Sequence, residues 1–154
     1  MGGKLKKLAS RSDLMNISIV HGKERIKFNL FEELVVNENK LNDELKNQPS
    51  YFAYLSTLSI KLKRISEDKK QQMNKIYHQI FVKYKSQSNE NTGRVNSNEY
   101  SEALTIIEPE YQKALKDYNK AEEDFGIIKA AVDAFNQRSN LIQTISANIR
   151  RNND

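Results

Sequence analysis

The sequence contains no cysteine, only two prolines, five glycines and two histidines. Lacking cysteine, it can form no disulfide scaffold, thiolate metal site or cysteine nucleophile, and it fits a reducing compartment without demanding one. No apolar run approaches the roughly 18 residues of a membrane span. The opening MGGKLKKLASRSD has bases but no apolar segment behind them, so neither a membrane span nor a secretory signal is expected. His21 and His78 stand too far apart to suggest a metal pair, and no glycine cluster could cradle a phosphate outside the terminal Gly2-Gly3. Glu122, Glu123 and Asp124 are consecutive and point in different directions on a helix, which reads as a solvated face. The expectation is a protein that is not an enzyme, with no catalytic residues, no cofactor and no metal.

What the chain does have is charge, helical spacing and few breaks. Of 154 residues, 38% are hydrophobic and 29% charged, and mean hydropathy is −0.76. This composition suits long helices that bury one stripe and solvate the rest. The net charge of +5 is strongly segmented. Residues 1–27 carry seven bases against two acids, and residues 51–88 carry eight against two. Residues 28–50 carry two bases against five acids, and residues 89–133 carry five against ten. Alternation of this kind allows complementary packing and leaves basic zones for an acidic partner.

Along the chain, residues 1–13 read as a flexible basic arm. Residues 14–50 read as a small β-hairpin plus a short helix. The β-rich runs ISIV and RIKF flank HGKE, where Gly22 can take a positive φ. A short extended piece is expected at residues 33–36 and a short helix at 37–47, with Pro49 restarting the chain. Residues 51–86 form a basic long helix, its seam running Tyr51, Leu55, Leu58, Leu62, Ile65 and, after polar Lys69 and Gln72, Met73, Ile76, Ile80 and Tyr84. Residues 87–108 read as a polar loop with a short helix near 98–104. Residues 109–154 form a long C-terminal helix led by Pro109, in which Gly126 marks a close helix crossing. The fold class is mainly α, an antiparallel long-helix hairpin with a small N-terminal β-hairpin, oligomeric through the C-terminal helix.

Two segments carry functional meaning. IKLKRISEDKKQQMNKIYHQIFVKYK holds Lys61, Lys63, Arg64, Lys69, Lys70, Lys75, Lys83 and Lys85 against Glu67 and Asp68 alone. It reads either as a solvated helix face, partly neutralised by the acidic start of the next long helix, or as a surface for a polyanion. Tyr77, Phe81 and Tyr84 interleave the bases, either as faces for stacking unpaired bases or as seam residues. The second segment, AAVDAFNQRSNLIQTISANI, is nearly uncharged, with apolar residues on more than one face. Self-association would cover them, as would the short helix and hairpin.

The order of these pieces resembles the phage recombination mediators of the UvsY type, which are recombination, repair and single-stranded-DNA-binding proteins. NENKLNDELKNQPSYFAYLSTLSIKLKR is similar to that family's acidic helix, Pro-led restart and aromatic opening of its basic helix; the Lys-rich run to FVKYK resembles the end of that helix. IEPEYQKALKDYNKAEEDFGIIKAAVDAFNQRSNLIQTISANIRR resembles its terminal helix. The resemblance implies a homo-oligomer, in ring form, that binds single-stranded DNA. It would help load a phage or host recombinase on strands covered by single-strand-binding protein, in the cytoplasm of an infected bacterium and without a membrane. The implied DNA contacts are Lys61, Lys63, Arg64, Lys69, Lys70, Lys75, His78, Lys83, Tyr84 and Lys85. The implied assembly residues are Phe135, Arg138, Leu141, Ile142, Ile145 and Ile149. Where the family carries a Lys-x-Arg pair before its terminal aromatics, this chain has His78 and Ile80. The alternatives are a helical structural or adaptor protein of a phage particle, whose basic face meets an acidic protein, and a hairpin that binds structured RNA.

Overall fold

The computed structural model describes residues 15–88 and 93–153; the expected basic arm lies outside the described residues. The chain is mainly helical. Strands β1 (Asn16–His21) and β2 (Glu24–Asn29) lead into helix α1 (Leu30–Leu34) and a single 3-10 turn (Glu38–Lys40). Helices α2 (Leu41–Lys85), α3 (Asn98–Ile107) and α4 (Pro109–Asn153) complete it. Two compact units divide the chain: Met1–Ser59 with Ile127–Asp154, and Ile60–Gly126.

The first unit holds most of the core. β1 and β2 pair antiparallel, Ile17 opposite Phe28 and Ile19 opposite Ile26, across a turn where Gly22 sits at φ 63°. Alternation puts Ile17 and Ile19 inside while Ser18 and Val20 face out. Of the expected extended piece at 33–36, residues 33–34 instead end α1, while Val35 after them is extended at φ −61° and ψ 132°. Asn29 caps that helix by accepting from the Glu32 amide at 3.1 Å, which starts a helix where side-chain pattern alone suggested a strand. Leu55 and Leu58 of α2 are buried, as are Ile128, Ala131, Phe135, Arg138 and Ile142 of α4. The α4 set recurs at alternating spacings of three and four, a heptad seam in which Arg138 occupies one position.

α2 corrects the expected restart at Pro49, because the helix runs unbroken from Leu41 and Pro49 lies inside it. A proline in a helix interior costs about 3 kcal/mol, since it removes one hydrogen bond and crowds the preceding turn. That turn is held from outside. Gln48 is buried, donates to the Phe135 carbonyl at 2.7 Å and accepts from Arg138. The expected boundary between 14–50 and 51–86 therefore falls inside one helix.

The second unit is thin. Its buried side chains are Leu62 and Ile80 with the polar Ser66, Asn96, Ser101, Thr105 and Asp124. Here α2 and α4 run antiparallel, with Ser66 donating to Glu122 at 2.5 Å, Tyr77 edge-on to Tyr111 at 5.5 Å, and the Tyr84 hydroxyl bonded to Glu108. Asn96 closes the end of α2 by donating its side-chain amide to the Tyr84 carbonyl at 2.9 Å, which satisfies a carbonyl the helix itself leaves open. Gly126 marks no close crossing, because a Cβ there would meet nothing within 4 Å.

Candidate nucleic-acid interface

All ten residues expected to contact DNA lie in the second unit, and the helical period sorts them. Leu62, Ser66 and Ile80 define the inward stripe of α2. Lys61, Lys63, Arg64, Lys70, Lys75 and His78 lie on the remaining arc and are exposed, and Lys83 is exposed at its edge. From Lys61 to Lys83 this arc spans about 33 Å at 1.5 Å per residue.

The other three are turned to local work. Lys69 is half-buried, in a cleft of about 230 Å³ lined by Gln72, Ile76, Glu110, Lys113 and Asp117, where the apolar seam is interrupted. Lys85 donates to the Asn96 carbonyl at 2.6 Å. Tyr84 is half-buried, and its hydrogen bond to Glu108 raises the hydroxyl's pKa above 10.0. The neighbouring aromatics are likewise in the seam. Tyr77 stacks on Phe81 with centroids 6.2 Å apart, and desolvation raises its pKa. No open platform for stacking bases forms from Tyr77, Phe81 and Tyr84. Ile80, one of the two residues standing where the resembled family has bases, is buried.

Apart from Lys69, whose cleft Glu110 and Asp117 line, the bases of α2 stand clear of the acids of α4. Among the described residues, no base of residues 61–85 forms an ion pair with an acid of residues 108–124. Glu122 accepts from Ser66, Glu108 from Tyr84, and Asp124 pairs with Lys120 of its own helix at 2.8 Å. Lys63 meets Glu67 at 3.8 Å with both side chains mostly exposed, a pair worth little.

The residues expected to serve assembly lie in the first unit and divide in the same way. Phe135 is only 2% exposed and stacks on Tyr51 at 6.0 Å, and Ile142 is fully buried. Arg138 donates to the carbonyls of Leu34 and Val35, each at 3.2 Å, and to Gln48 and Glu44, each at 2.5 Å. These three are buried within one chain. Leu141, 52% exposed, and Ile149 remain outside, with Ile145 half-buried. The sequence reading missed that Arg138 is a clamp. Its signal was there: a lone base in an uncharged stretch, which burial obliges to find acceptors.

No family model, curated protein or solved structure matches this chain. Among the described residues no cluster of side chains could hold a metal ion, and no helix is long and apolar enough to cross a membrane.

Proposed function

We propose that the chain is a single-stranded-DNA-binding recombination mediator of the UvsY type, which loads a recombinase while its α2 arc holds the strand. One observation supports this reading above the others: six exposed bases along the arc have no acid of the opposing helix to neutralise them. The phosphate backbone is the ligand such an arc suits, because each contact releases condensed counterions. With the seam aromatics half-buried and packed on one another and on Tyr111, affinity rests on phosphate contacts more than on stacking, so sequence preference is weak.

Six phosphate contacts by Lys61, Lys63, Arg64, Lys70, Lys75 and Lys83 limit the salt slope of binding to about −4 per chain on single strands. Lys70→Glu with Lys75→Glu tests it. Both side chains are exposed, so circular dichroism should be unchanged, while the slope for a labelled oligothymidine, followed by fluorescence anisotropy, drops by about 1.4. No binding at low salt would end the reading. Assembly into a ring multiplies weak contacts, since each later one is intramolecular. Through α4 it would use Leu141, Ile145 and Ile149.

The half-buried aromatics favour one competing reading, a helical structural or adaptor protein of a phage particle. An arc of charge without a stacking surface serves an acidic protein as well as a strand. Retention on an acidic protein column together with no shift of oligonucleotides would select it.

A further inference from the structure

α3 packs with the opposite faces from those its composition suggests. Ser101 and Thr105 are fully buried, and their hydroxyls are satisfied on the helix itself, Ser101 to the Ser97 carbonyl at 2.8 Å and Thr105 to the Ser101 carbonyl at 2.7 Å. The outward arc carries Tyr100, Ala103, Ile106 and Ile107, with Ile107 70% exposed. A ten-residue helix that buries hydroxyls and solvates two isoleucines and a tyrosine forgoes apolar burial it could have had. Charge along the stripe is mostly acidic: residues 95–112 hold Glu99, Glu102, Glu108 and Glu110 and no base, with Lys85 of α2 near Glu99 at one end. The Glu99 backbone amide and then the Ser97 hydroxyl, with the charge of Lys85, hold the Glu99 carboxyl below its ordinary range, so it stays charged.

We infer that the outward face of α3 is a docking site for a partner protein's basic amphipathic segment, apolar at helical spacing and flanked by lysine or arginine. The complementarity is specific on both counts. The acids repel a nucleic acid, so this face is separate from the strand-binding arc and does not rest on it. The arc's own bases cannot fill it from a second copy, because their face offers only Ile60 and Val82 as exposed apolar residues, 22 positions apart, and no stripe to match. A foreign helix with leucines at i, i+3, i+4 and i+7 supplies both the stripe and the charge.

The test uses the full chain and a fluorescein-labelled 18-residue helix of leucine and lysine with that spacing. A scrambled peptide of the same composition and a leucine–glutamate version serve as controls. Anisotropy should show binding of the patterned basic peptide, at least about fivefold weaker binding of the scrambled one, and none of the acidic one. Ile107→Lys, at a solvent-facing position that leaves circular dichroism unchanged, should weaken the patterned peptide about tenfold or more, by losing apolar contact and setting a like charge against the peptide's bases. Absence of binding, equal binding of the scrambled peptide, or an unchanged affinity in Ile107→Lys would each overturn the proposal. So would a fall in the light-scattering mass of Ile107→Lys, which would show that a second copy covers the face.

Discussion

Replacing Arg138 by leucine keeps much of the side-chain volume and removes all four hydrogen bonds of the clamp. Two of the freed acceptors recover water: the Glu44 carboxylate, whose side chain is 22% exposed, and the carbonyl of exposed Val35. The Gln48 amide oxygen, on a residue only 6% exposed, has no such recourse, and the Leu34 carbonyl is half-shielded. Breaking a buried ion pair from one side costs about 3–5 kcal/mol, and the partial exposure of Glu44 places this case at the lower end, about 3 kcal/mol. Against a total stability of about 5–15 kcal/mol this is large, and it lowers the melting temperature by roughly 6–12 °C for a chain of this size. Urea unfolding at two protein concentrations tenfold apart is the assay. Arg138→Lys should fall between the two, since a point charge on a flexible stem cannot span four acceptors. A loss below about 0.5 kcal/mol would refute the clamp. A loss that grew with dilution would refute its placement inside one chain, because only a contact between copies depends on concentration.

The Arg138 hydrogen bond holds the Glu44 carboxyl below its ordinary 4.5, helped by the Asn37 amide and opposed by burial. A depressed folded pKa contributes stability that is full above pH 4.5 and fades as pH falls through the folded value, so Glu44→Gln should flatten the acid limb of urea midpoints measured across that window. Gly126→Ala should stabilise by about 1 kcal/mol, because a helix-interior glycine with open space at Cβ has conformational entropy to lose and nothing to clash with; a lowered urea midpoint would contradict this. Tyr84→Phe removes the bond to Glu108 and should lower the thermal midpoint while leaving oligonucleotide affinity within about twofold, since a half-buried ring gives little stacking surface. A larger loss of affinity would return Tyr84 to the interface.

What the sequence disclosed follows from locality. ISIV and RIKF around Gly22 specify a hairpin by period and turn chemistry within fourteen residues. Leu55, Leu58 and Leu62 reveal their buried face by spacing, and Pro109 announces the last helix. Pro49 misled because a local rule met a distant remedy: Gln48 is anchored by Phe135 and Arg138, about ninety residues away in sequence. The same distance hid the clamp, whose acceptors lie in α1, the segment after it and α2. Tyr77, Phe81 and Tyr84 at spacings of four and three are equally good as seam or as platform, and only the position of Tyr111 and Glu108 decides. α3 was opaque for another reason. Its exposed stripe and its buried hydroxyls each satisfy a helical period, so amphipathic spacing alone cannot say which face turns inward.

The bases of α2 are spaced so that none faces another at i,i+4, and the chain had acids available on α4 to pair with them. Of those acids, Glu122 is taken by a serine, and Glu123 and Asp124 by a lysine of their own helix. Glu110 and Asp117 line the cleft of Lys69, so the exposed bases of α2 keep most of their field. α3 keeps the opposite field around an apolar stripe that its buried hydroxyls could have changed places with. In the proposed function, sign would sort the partners within one unit, a polyanionic strand lying on α2 and a basic segment on α3. Two ligands of opposite charge would then occupy separate faces, as the proposed presentation of a strand to a second protein requires. The prediction peculiar to this arrangement is independence: Ile107→Lys should leave the affinity for oligothymidine alone within about threefold, and a larger loss of affinity would place both ligands on one face.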